Sequence, residues 1–219
     1  MTRSQWALAF LATGAAVTGA SYLVRQRERQ RLAEPNIIPI ITPSIDMDLA
    51  VEVVARLERL EGEVTVVLHT LGGCISSCVM IADALRQMPN TTAVVPYVAA
   101  SGGTLIMLAA RRMRLGRYAV LSAVDPQIRG RRARHIAADD KDGLFPAAQE
   151  YERSMLMFLR ELLRGHQPGS MDNALALFMG RDNPHNWPIQ PRELRKLGLP
   201  VEPAGVEWAE MVDAYGRWW

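Results

Sequence analysis

The chain has 219 residues, 49% of them apolar, and a formal net charge of +2. That length buries one substantial core, so one folded domain with an appendage is expected. The near-neutral balance excludes nucleic acid as the main partner, because no basic excess is present to neutralise phosphates.

Residues 6–24 form an uncharged run rich in Ala, Leu and Val. As a helix it reaches about 28 Å, close to the roughly 30 Å hydrocarbon core of a bilayer. Arg25, Arg27, Arg29 and Arg31 follow it, against Arg3 alone on the other side. The positive-inside rule then predicts a single-pass membrane protein whose globular part lies in the cytoplasm. A cleaved signal peptide is the competing reading. Residues 1–24 are therefore expected to be a transmembrane anchor, 25–36 a basic linker and 37–219 the folded domain.

Asn36–Thr42 reads as a short strand that Pro39 confines to a sheet edge. Asp46–Leu60 has helical apolar spacing, Val64–His69 reads as a buried strand, and Ile75–Met88 as a helix. Cys74 and Cys78 read as reduced core residues, since no further ligand nearby completes a metal set. Thr91–Tyr97 is a predicted strand, Thr104–Arg112 a helix, and Met113–Leu115 and Ala119–Ala123 short strands. Alternating strand and helix favours a parallel sheet covered on both faces.

Residues 128–142 are polar, with Arg129, Arg131, Arg132 and Arg134 followed by Asp139, Asp140 and Asp142. Such a charge run reads as a solvated loop. Pro146–Arg164 returns to helical periodicity, with Leu156 and Leu163 lying off the Tyr151/Met155/Phe158/Leu162 stripe. A helix apolar on more than one face implies a neighbour on each, so a homo-oligomer is expected. Ser170–Met179, a segment from Pro191 stopped at Gly198, and Val206–Tyr215 complete the predicted helices.

In an open α/β sheet, chemistry sits where strands give way to helices. Gly72 and Gly73 follow one predicted strand, and Ser101 follows the next, with Gly102 and Gly103 after it. A serine at such a turn presents its hydroxyl, and glycines let backbone amides approach a carbonyl oxygen.

HTLGG (69–73), SGGT (101–104), DPQI (125–128) and PHNWPIQPRELRKLGLPV (184–201) occur in that order. The ordered set resembles the serine dehydrogenase proteinase family of Clp-fold serine peptidases, related to signal peptide peptidase A and ClpP. The resemblance implies an α/β fold of the ClpP/crotonase type, a spiral of βαβ units. It also implies Ser101 as the acyl nucleophile and an oxyanion hole from the amides of Gly72 or Gly73 with Gly102. The substrate would be a peptide or a membrane-protein segment; no cofactor or metal is implied.

The base is not fixed by the resemblance. Where ClpP has its histidine, this chain has Val124-Asp125-Pro126; where signal peptide peptidase A has its lysine, Arg153 stands, and arginine cannot deprotonate near neutral pH. His69, Lys141 and His185 are the candidates, with Asp125 able to orient a histidine or cap a turn. Two alternatives to a peptidase follow: a catalytically impaired scaffold, for which Arg153 is the argument, and a crotonase-like acyl-thioester enzyme.

Overall fold

The structure, a computed structural model, describes Glu34, residues 36–181 and residues 183–215. The expected membrane-spanning segment lies outside the described residues. Among the described residues no helix is long and apolar enough to cross a membrane.

The elements alternate as the apolar runs predict. Strand β1 (Ile37–Thr42) leads to helix α1 (Met47–Leu57), β2 (Val64–Thr70) to α2 (Ile75–Gln87), and β3 (Thr91–Val95) to β4 (Val98–Ala99) and α3 (Gly102–Ala109). Next come β5 (Arg112–Leu115), β6 (Val120–Leu121) and the antiparallel pair β7 (Gln127–Ile128) and β8 (Arg131–Arg132). Helices α4 (Phe145–Arg164), α5 (Met171–Phe178) and α6 (Pro191–Lys196), strand β9 (Val201–Pro203) and helix α7 (Val206–Tyr215) complete the described chain.

The main sheet runs β6-β4-β2-β3-β5-β9, with β1 beside β2, and every named strand pair in it is parallel. β1 pairs along Thr65–Thr70 of β2, as an edge strand holding Pro39 can. β3 pairs with the first half of β2, whereas β4 meets it only at Thr70. The sheet therefore curls at the C-terminal end of β2, where the glycines and Ser101 lie. The cause is local: Pro96 ends the strand predicted over Thr91–Tyr97 at Val95, and the chain re-enters the sheet only at Val98 as β4.

Period-two alternation sends β2 to two cores. Val64, Val66 and Leu68 join the large cluster with Ile81 and Leu85 of α2 and Leu105–Ala109 of α3, whereas Val67 packs with Met211 and Val212 of α7. Every residue of α3 from Gly103 onward is buried. A helix apolar all round suits that central place, and it carries Ser101 at its N-terminus.

Three sequence expectations are revised. Helix α3 begins at Gly102 rather than Thr104, because Ser101 already accepts its first-turn bond from Leu105. β9, which no periodicity announced, adds to the sheet beside β5. In α4 the core-facing residues include Met155, Leu159, Leu162 and Leu163, so Leu163 is covered within the chain. Tyr151 and Met157 are the large apolar side chains that α4 leaves exposed.

Candidate active site

A cleft of about 310 Å³ opens at the C-terminal edge of the sheet. Ser101, Gly73, Gly102, Asp125 and His185 line it, with Leu71, Ile75, Cys78, Leu105, Val124 and Met155 as apolar walls.

Ser101 has φ 50° and ψ −118°, a conformation L-residues avoid, and it sits between β4 and α3. This strand–serine–helix elbow presents a hydroxyl away from the backbone. Four contacts hold it. The Ser101 amide donates to Ser122 Oγ at 2.8 Å, and the Ser122 amide donates to Thr104 Oγ1 at 3.1 Å. Thr104 Oγ1 in turn donates to the Ala99 carbonyl at 2.6 Å, and the Ala100 amide bonds the Thr70 carbonyl at 2.9 Å. Thr104 and Ser122 are buried. Sequence reasoning missed both; their signal was the small polar pair at the end of β6 and in the first turn of α3.

The glycines divide their work. Gly72 has φ +101°, and a Cβ there would lie 2.8 Å from Ser101 Cβ, so glycine permits the close approach of the two turns. Its amide, however, donates to Thr70 Oγ1 at 3.2 Å. Gly73 bridges Ile45, but Ile45 bonds the Gly72 carbonyl and the Cys74 amide on either side. The Gly73 amide is thereby turned away from Ile45, and Gly73 lines the cleft. Gly102 is the first residue of α3, so its amide has no partner within the helix. A Cβ on Gly102 would meet Cys78 Sγ at 2.1 Å. Of the three expected donors, Gly72 is thus engaged with Thr70, whereas Gly73 and Gly102 line the cleft. The N-termini of α2 and α3 both open at the cleft, since Ile75 and Gly102 line it, and both add positive potential there.

Asp125 and His185, 60 residues apart in sequence, meet at 2.8 Å between Oδ1 and Nδ1. An ionised carboxylate only accepts, so Nδ1 carries the proton and Nε2 is left to receive another. His185 is delivered by the chain entering the sheet: Ile189 exchanges two hydrogen bonds of 2.9 Å with Leu121 of β6. Asp125 Oδ2 takes a 2.6 Å bond from Arg132 Nε. Burial pushes the Asp125 carboxyl up, but the His185 and Arg132 hydrogen bonds and charges outweigh it and hold the carboxyl below its usual value. Such a depressed carboxyl stabilises the fold above the unfolded value of about 3.9, and the contribution is lost as pH falls below it.

The other candidates lie elsewhere. His69 is fully buried and does not line the cleft; in β2 it shares the face of Val67 and sets its ring edge-on to Tyr97 at 5.7 Å. Strand alternation placed it there, although adjacency to the glycine turn had suggested the site. Lys141 is exposed in the turn before α4, and Arg153 is exposed on α4; neither lines the cleft. Cys78 is buried in the cleft wall with its thiol pushed up to about 12 by burial and then by Cys74, whereas Cys74 is exposed rather than a core residue. Among the described residues no group of three His, Cys, Asp or Glu side chains is arranged to hold a metal ion.

A curled parallel α/β sheet with a strained serine elbow at its C-terminal edge defines a class of acyl-transfer architecture. The model of the ClpP-like SDH-type serine proteinase family matches residues 37–215, and the chain belongs to that family. Among its relatives is Uncharacterized protein MJ0137 of Methanocaldococcus jannaschii, 32% identical over 152 residues, 64% of this chain and 53% of the relative. A second protein of that organism, Uncharacterized protein MJ1495, is 29% identical over 165 residues, 68% of this chain and 56% of its own length. The chain therefore spans about half the length of the curated relatives it matches.

Replacing Ser122 by Ala leaves the Ser101 amide without its acceptor. We expect a loss of about 1–3 kcal/mol in urea unfolding, with slower labelling of Ser101 by an active-site probe. Unchanged stability and labelling would show that the elbow is held without Ser122.

Proposed function

We propose that the chain is a membrane-anchored serine endopeptidase that works through an acyl-enzyme on Ser101. The observation that carries this reading is the meeting of an elbow serine, two amide donors and an Asp–His pair on one cleft. Ser101 Oγ attacks the scissile carbonyl while His185 Nε2 takes its proton. Asp125 holds the imidazole by Nδ1 and stabilises the imidazolium. The tetrahedral oxyanion is met by the amides of Gly73 and Gly102; one such donor is worth about 100- to 1,000-fold in rate. His185 then gives its proton to the leaving amine, and water attacks the ester by the same path in reverse.

The chain order Ser101, Asp125, His185 puts the acid where ClpP has its histidine. Such sites are defined by geometry and role rather than by order. The impaired-scaffold alternative rested on Arg153, which is exposed and does not line the cleft; that placement favours the peptidase reading. The apolar wall formed by Ile75, Cys78, Leu105 and Met155 supports a peptide substrate with an apolar side chain. Tyr151 and Met157, 48% and 62% exposed on α4, support association with a second copy. The anchor at residues 6–24 rests on its apolar composition and the arginines that follow it.

A fluorophosphonate probe is expected to label the parent protein on Ser101 and to leave a folded Ser101→Ala variant unlabelled. Equal labelling of both would remove Ser101 as nucleophile. For the topology, a C-terminal tag on the full chain is expected to survive protease treatment of intact spheroplasts. Its loss without lysis would reverse the assignment to the cytoplasmic side.

A further inference from the structure

Arg132 lies in the charge run that composition assigns to solvent, yet its side chain is only 14% exposed. The β7–β8 hairpin explains the difference. Neighbouring strand residues face opposite ways: Arg131 turns outward to Asp140 Oδ1 at 2.6 Å, and Arg132 turns inward. There its guanidinium makes four contacts. Nε donates to Asp125 Oδ2 at 2.6 Å, Nη1 to the Asn183 carbonyl at 2.9 Å, and Nη2 to the Gly180 carbonyl and, at 3.5 Å, to that of Met179. Those carbonyls belong to the turn that leads into His185. One planar cation thus ties the acid to the segment that presents the base.

The turn is shaped around that cation. Gly180 has φ +59°, and a Cβ there would lie 2.8 Å from Arg132 Nη2 and 3.4 Å from Asp125 Oδ1. Only glycine gives both the conformation and the room.

We infer that Arg132 is a positioning residue for acylation, holding Asp125 and the His185 turn in register and opposing with its charge the imidazolium that forms on His185. This inference rests on the Ser101–His185–Asp125 reading of the cleft. The charge argument is local. Asp125, His185, Ser101 and Cys78 are the titratable side chains lining the cleft. From the hairpin, Arg129 and Arg131 engage Asp142 and Asp140 on the outer side; from the turn, Arg181 is exposed; from α4, Glu152 is bonded to Arg134. Arg132 is therefore the cation that shares Asp125 with His185. Its removal leaves the carboxylate free to favour the imidazolium, so more alkaline solution is needed to free the base.

Lysine tests geometry apart from charge, because a point charge cannot reproduce the guanidinium fork. Fluorophosphonate labelling rates of Ser101 are measured against pH for the full chain and for Arg132→Gln and Arg132→Lys, each checked for native circular dichroism. Both variants are expected to label about 10- to 100-fold more slowly, by analogy with partners that orient metal-ligating side chains. The acid limb is expected to move to higher pH in Arg132→Gln and to stay in place in Arg132→Lys. Parental rates in either variant, or an unmoved limb in Arg132→Gln, would overturn the inference. Should Arg132→Gln not fold, Arg132→Lys decides by its rate alone. A parent protein that takes no label overturns the nucleophile reading itself, which separates the two failures.

Discussion

The backbone of Ser101, at φ 50° and ψ −118°, stands in a region that costs an ordinary residue about 1–3 kcal/mol. Such strain persists where the surroundings over-determine it. Here a chain of bonds from the Ser101 amide through Ser122 and Thr104 to Ala99 closes on the elbow from below, and Gly72 leaves room above it. The buried helix that follows fixes the direction of departure. β2, β4 and β6 meet at this point, so the curl of the sheet, the glycine turn and the serine are one arrangement.

Electrostatics follow from the same placement. Two helix N-termini and two backbone amides make the floor of the cleft favourable to negative charge. At its side, a buried carboxylate is shared between an imidazole and a guanidinium, and the hydrogen bonds keep it ionised in spite of burial. The cleft thus sets donors that favour negative charge beside a histidine held by a carboxylate.

Much of this was legible in the residues. Val- and Ile-rich runs ending in small residues gave the βαβ alternation, and the glycines around Ser101 gave the elbow. Helix α3 was legible because an uninterrupted apolar segment has nowhere to sit except the centre. The Asp125–His185 pair was not, since its partners are 60 residues apart on two turns and no local pattern couples them. Each does lie in a quoted segment, Asp125 in DPQI (125–128) and His185 at the head of PHNWPIQPRELRKLGLPV (184–201). His69 was misjudged by adjacency to the glycines, whereas period-two alternation through Val67 gives its face. Arg132 was hidden among arginines, because composition does not register which side of a two-residue strand faces inward. Strand β9 is too short to show a period of its own.

The base is the point at which sequence left Lys141, His69, His185 and Asp125 open, and the fold brings His185 and Asp125 to the cleft. The most direct test compares the rate of Ser101 labelling by a fluorophosphonate in His185→Ala and in Lys141→Ala. The expected result is a fall of about 1,000-fold or more in the first and a parental rate in the second. Retained labelling in a folded His185→Ala variant, or its loss in Lys141→Ala, would contradict the assignment of His185 as the base.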